Sequence, residues 1–186
     1  MDKVIIKSKY NEKLHKRFYK FHMFRKSASI YFFLLSAVLS VYLAVANTIN
    51  PEATPTTIAI SWGFSVILLA ALPAFTFGKI RGIVKHSMKE RGSTLEILEF
   101  TKFKITRFIE GFEGKLILGW EDFESVYELE DCFYFYIDRE QGIVVLKDDI
   151  VEGNVDILRK LITNNLKTNP KGKIKFKKMY KEKAND

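Results

Sequence analysis

Two continuous apolar blocks interrupt an otherwise mixed chain. Residues 27–51 and 53–78 contain no Asp, Glu, Lys or Arg, and Glu52 alone separates them. A helix rises about 1.5 Å per residue, so about 20 residues cover the ~30 Å hydrocarbon layer of a bilayer. The pattern predicts membrane-spanning helices near Ala28–Ala46 and Ile58–Phe77, made antiparallel neighbours by the short connection Asn50–Thr57. Ala44-Val45-Ala46 also fits a signal-peptide cleavage pattern, but the length of the block, the 26 residues before it and the second block favour a span. Helices in lipid pack through small residues four apart. That singles out Ser36, Ser40 and Ala44 on the first span, and Ala59 with Gly63 on the second. Pro73 removes a backbone hydrogen bond to Leu69 and predicts a kink late in the second span. Trp62 and Tyr31 are candidate interface anchors. No ionisable residue lies within either span, which argues against an ion or proton route through the hairpin.

Beyond the second block the pattern alternates, as half-buried strands do. Strands are predicted over Thr94–Phe100, Phe103–Ile109, Lys115–Trp120, Ser125–Leu129, Cys132–Ile137 and Ile143–Leu146. Glu110–Gly114 and Asp138–Gly142 read as hairpin loops. Asn154 then caps a helix whose Val155, Leu158, Leu161, Ile162 and Leu166 recur at helical spacing. The fold class is therefore a membrane α-helical hairpin plus an α+β cytoplasmic domain, an antiparallel sheet or partly open barrel capped by a C-terminal helix. The organisation reads as a basic arm (1–26), a two-helix hairpin (27–78), a basic juxtamembrane linker (79–92), the folded domain (93–168) and a polybasic tail (169–186).

Charge sharpens this division. Residues 1–26 carry a net +7, residues 79–91 +4, residues 93–168 −7 and residues 169–186 +5, within a total of +8. Basic residues flank both spans on the side of the termini, which predicts cytoplasmic termini. The folded segment is acidic and lacks a basic stripe, which speaks against nucleic-acid binding. The tail interleaves Lys173, Lys175, Phe176, Lys177, Lys178 and Tyr180, cations and apolar groups together. Such a segment suits contact with an anionic lipid surface; the alternative is docking on the acidic domain.

Chemistry-bearing patterns are sparse. The one cysteine, Cys132, opens an aromatic strand with no His beside it in sequence and reads as a packing residue. His15, His22 and His86 with Cys132 have no metal-ligand spacing. Glu121, Asp122, Glu124, Glu128, Glu130 and Asp131 form a dense acidic segment without the spacing of a calcium loop, and read as a solvated face. No phosphate loop, nucleophile elbow or zinc helix appears. Catalytic, cofactor and metal residues are thus expected to be none.

Gly119-Trp120-Glu121-Asp122-Phe123-Glu124-Ser125-Val126-Tyr127-Glu128, followed by Asp131-Cys132-Phe133-Tyr134-Phe135-Tyr136-Ile137, resembles the YcxB-like family of bacterial membrane proteins. Where that family pattern has a proline-lysine pair, this chain has Leu146-Lys147-Asp148-Asp149. The resemblance implies a two-helix hairpin with a pleckstrin-homology-like cytoplasmic domain in a bacterial inner membrane, and supplies no catalytic residues. It singles out Trp120, expected as a core anchor. The function expected is that of a non-enzymatic, membrane-held interaction module that binds a protein partner or itself. The rivals are an anionic-lipid sensor, with Lys102, Lys104, Arg107 and Lys115 as its pocket, and an enzyme with an unrecognised acidic site.

Overall fold

The protein, seen in a computed structural model, is described over residues 2–25, 28–92, 94–138, 141–168, 172 and 174–180. It folds as two units, one drawn from residues 1–18 and 87–186, the other from residues 19–86.

The apolar blocks form two helices. After α1 (Glu12–Arg25) come α2 (Ala28–Ile49) and α3 (Pro55–Arg91), both long and apolar enough to cross a membrane. Their large side chains are mostly exposed, Phe32 to 70%, the reverse of a soluble protein's core helix. With 37 residues, α3 is ~55 Å long at 1.5 Å per residue. It passes Pro73 and runs on through Lys79, Arg81, Lys85 and Lys89, so the stretch expected as a linker is helical as far as Arg91.

On α2 the small residues face inward as expected, but on α3 they do not. Ala37, Ser40 and Ala44 are buried and Ser36 is half-buried, but Ala59 and Gly63 are exposed. A methyl group on Gly63 would meet nothing within 4 Å. On α3 the inward stripe is Ser61, Ser65, Leu68, Leu72 and Thr76. These share one face at 3.6 residues per turn, with Ala59 and Gly63 on the far side. Trp62 Nε1 donates to Thr48 Oγ1 at 3.0 Å and the Phe33 and Phe75 rings lie 6.3 Å apart, so side chains make the contact towards both ends.

The other unit is rich in sheet. One sheet has the order β4-β3-β2-β1-β8, from β1 (Lys3–Lys9), β2 (Leu95–Thr101), β3 (Ile105–Ile109), β4 (Leu116–Leu118) and β8 (Ile150–Glu152). The second has the order β7-β6-β5-β9, from β5 (Ser125–Glu128), β6 (Cys132–Tyr136), β7 (Gly142–Leu146) and β9 (Phe176–Lys178). Pairing is antiparallel except between β5 and β9, which run parallel, and neither sheet closes into a barrel. Helix α4 (Val155–Asn165) starts where Asn154 Oδ1 accepts from Ile157 N at 2.9 Å. Inward residues of both sheets, Trp120, Phe123 and the apolar face of α4 form one core.

This unit corrects the expected boundaries. The first residues are not a free arm, and of the expected tail residues 174–180 lie along β5. β1 pairs with β2 from Lys3↔Thr101 to Lys9↔Leu95 and with β8 on its other side, so residues 93–168 alone lack an inner strand of the larger sheet. Counting charges concealed this strand, because successive side chains point to opposite faces. Lys3, Lys7 and Lys9 take one face while Val4 and Ile6 enter the core. Gly153, at φ +83°, turns the chain from β8 into α4 under β1, where a Cβ would lie 2.7 Å from the Lys3 carbonyl oxygen.

The first half of helix α1, up to Phe18, completes the same unit. All five residues of β6 are buried. Phe133 and Phe135 face the core, while Tyr134 and Tyr136 lie 5.1 and 5.3 Å from the Phe18 ring. The aromatic strand is thus covered on both faces, and β7 approaches closely enough that a Cβ on Gly142 would lie 2.9 Å from Phe18 Cζ.

Candidate functional site

The acidic segment noticed in the sequence organises the second sheet. It runs from just before β5 through that strand to the turn that joins β5 to β6, and Glu128 and Asp131 tie the surrounding elements together. Glu128 ends β5 with its side chain fully buried. Its Oε1 accepts from Arg159 Nη2 at 2.6 Å, Lys147 Nζ lies 2.8 Å away and Tyr180 Oη donates at 2.8 Å. Burial pushes the Glu128 carboxyl up, but these hydrogen bonds from Arg159, Lys147 and Tyr180 overcome it and hold the group below the usual carboxylate range. Arg159 comes from α4, Lys147 from the loop after β7 and Tyr180 from the C-terminal segment. A single carboxylate therefore joins four parts of the chain; Glu121, Asp122, Glu130 and Asp131 are exposed, as a solvated face would be, and Glu128 is the exception.

A second polar knot lies at Asp131. Arg17 Nη2 donates to its two oxygens at 2.9 and 2.7 Å, and Arg17 Nε donates to Tyr134 Oη at 3.3 Å. Burial raises the Asp131 carboxyl, but the hydrogen bond from Arg17 outweighs it and the group stays low. Beside this pair lies a groove of about 240 Å³ lined by Asn11, Lys13, Leu14, Arg17, Asp131 and Leu146. Cys132 is buried, its Sγ 3.1 Å from Arg17 Nη2, and its thiol is pushed up to about 11 by burial and then by the Asp131 charge, against the opposing pull of Arg17. A thiol so held is protonated at neutral pH and a poor nucleophile. Among the described residues, no group of three or more His, Cys, Asp or Glu is arranged to hold a metal ion.

The other singled-out residues fall as follows. Trp120 is 3% exposed in a short 3-10 turn (Trp120–Asp122), its Nε1 donating to the Thr101 carbonyl at 2.9 Å. In the C-terminal segment Phe176 packs against the core, Lys175 Nζ lies 3.9 Å from Glu124, and Tyr180 joins the Glu128 knot. Backbone bonds Val126 N to Lys175 O and Met179 N to Glu128 O hold this segment along β5. Phe176 and Tyr180 are thus engaged by the domain. Lys177 and Lys178 are exposed; Lys173 lies outside the described residues. The cations of the lipid-sensor reading do not converge. Arg107 is bonded to Glu96 at 2.6 Å, while Lys102 and Lys104 sit in the turn before β3 and Lys115 follows its far end.

Sequence reasoning missed two features. With its own termini in place, the acidic middle is no longer a negative body, since residues 1–18 and 87–186 together carry a net +3. Lys3 near Glu99 and Glu152, and Arg17 on Asp131, show the compensation locally. The second is an apolar sheet edge. Among the described residues β4 pairs with β3 alone, and Leu116 and Ile117 are exposed, Ile117 to 59%, with Phe103 exposed to 71% in the turn between β2 and β3. The strand expected over Lys115–Trp120 is thus an edge strand, and of Leu116-Ile117-Leu118 only Leu118 is buried.

No curated protein and no solved structure matches the chain. Residues 100–162, running from Phe100 in β2 to Ile162 in α4, match the family model described as YcxB-like protein, so the folded unit contains a YcxB-like domain.

Proposed function

We propose that this is a non-enzymatic bacterial inner-membrane protein in which α2 and α3 cross the bilayer and hold a pleckstrin-homology-like domain at the cytoplasmic face, where it binds another protein or a second copy. The observation that carries the interaction role is the bare β4 edge. A strand with unpaired backbone groups and exposed apolar side chains is a template for pairing with another chain. Two points support the membrane role. The helices expose apolar surface along their length, and both ends of the chain enter one sheet-rich unit, which requires an even number of crossings between them. The basic residues that flank the spans favour the cytoplasmic side. The non-enzymatic part rests on Glu128 and Asp131 being low-lying carboxylates engaged by cations, poorly suited to taking up a proton.

A photo-crosslinking side chain at position 117 of the full chain in its membrane is expected to trap a discrete adduct, and one at exposed Asn164 on α4 is not. Equal yields at the two positions would remove the β4 edge from the proposal. For the topology, a reporter after Asp186 is expected to be active in the cytoplasm and one inserted at Thr54 inactive; the opposite result would sink it.

A further inference from the structure

A partly open cavity of about 160 Å³ lies within the helical unit, lined by Met23 of α1, Ile30 and Phe33 of α2, and Leu72, Phe75, Thr76 and Lys79 of α3. Its polarity is graded. Along α3 the wall runs from Leu72 through Phe75 and Thr76 to Lys79, the first charged residue after the uncharged stretch 53–78. On α2, Ile30 and Phe33 lie in the first turns of the span. The cavity therefore sits where hydrocarbon gives way to headgroups, apolar towards the middle of the spans and cationic at the end. Lys20 is held at the same level, its Nζ 5.5 Å from the Phe77 ring centroid. Cavities of ~150 Å³ lined by aliphatic and aromatic side chains stay dry and accept hydrocarbon the size of benzene. A short length of acyl chain is of that size, and a lipid carries its phosphate at the end where Lys79 stands.

We propose that this cavity is a binding site for one anionic phospholipid of the leaflet nearest the termini, with the upper acyl chain against Ile30, Phe33, Leu72 and Phe75 and the phosphate at Lys79. This rests on the reading of α2 and α3 as membrane spans, and goes beyond it by naming a ligand. The charge selects among lipids: the apolar wall accepts any acyl chain, but a basic residue near an anionic surface contributes about 1 kcal/mol, equivalent to roughly fivefold in occupancy.

The test uses the full chain reconstituted in vesicles of phosphatidylcholine and phosphatidylglycerol in equal parts, then gently extracted for native mass spectrometry of retained lipid. The expected result is one phosphatidylglycerol retained about fivefold over phosphatidylcholine. Lys79→Gln should abolish the preference, Lys85→Gln on the same helix should keep it, and Leu72→Trp should reduce retention of both lipids by filling the space. Equal retention by the parent chain, or the same loss from Lys85→Gln as from Lys79→Gln, would overturn the site. Flotation separates the two levels of the argument. A chain that does not float with the vesicles refutes the spans and the site together; one that floats without preference refutes the site alone.

Discussion

Phe135 and Phe32 are the same side chain in opposite circumstances. In the sheet-rich unit Phe135 is fully buried among Phe100, Phe123 and Phe133; in the helical unit Phe32 is 70% exposed. One unit makes its own apolar environment by closing two sheets and α4 over a core. The other presents its apolar surface outward, as a membrane-spanning helix pair would. The difference teaches where stability resides. In the first unit it lies in packing and in a few buried polar knots; in the second, on the proposed reading of α2 and α3 as spans, it would come largely from the surrounding lipid.

That contrast can be broken by substitution, with Cys132 as a common probe. It is the one cysteine of the chain and is buried, so its rate of reaction with a thiol reagent reports opening of the domain. Trp120→Ala is expected to cost about 3–5 kcal/mol, the range for deleting a large buried aromatic, since Trp120 also satisfies the Thr101 carbonyl. Phe32→Ala should change the same measurement by less than about 0.5 kcal/mol, as a surface substitution would. Similar effects from both would erase the distinction between the units.

Next in size, Glu128→Gln leaves Arg159 and Lys147 short of negative charge in a largely buried knot, and about 3 kcal/mol is expected from the cost of removing one partner of such a pair. The pH dependence carries a sign. The folded carboxyl is held below its unfolded value of about 4.3, so its contribution is complete above that value and is lost as pH falls through the lower, folded one. The advantage of the parent over the Gln variant should therefore shrink below about pH 4. An advantage independent of pH down to 2 would show that the knot does not depend on the carboxylate charge.

The smallest effect is the sharpest test of the C-terminal segment. Tyr180→Phe keeps the ring and removes the hydroxyl that donates to Glu128 and accepts from Arg159 at 2.7 Å. About 1 kcal/mol of domain stability is expected to be lost, the usual net value of such hydrogen bonds. No change would mean that the segment lies on β5 without contributing to the fold.

Much of this architecture was legible along the chain. Two uncharged blocks of span length can hardly avoid being apolar helices, and the strands from Leu95 to Leu146 and the Asn154-capped helix follow from period and punctuation, which are local properties. The central role of Trp120 in the core and the inertness of Cys132 follow from residue type as well. Tertiary structure decided what is non-local. Whether Lys3–Lys9 is an arm or an inner strand depends on β2 and β8, which arrive about 90 and 145 residues later, at a distance where alternation in so short a stretch carries little weight. Which face of α3 meets α2 depends on the whole stripe from Ser61 to Thr76, not on Ala59 and Gly63 being small. Where the lysine-rich C-terminal segment lies was likewise non-local: Phe176 pairs with Val126 and packs on the core, and Tyr180 meets Glu128, whose cations come from α4 and the loop after β7. Charge and hydrophobicity are properties of residues, but burial and ion pairing belong to the pairs that folding brings together.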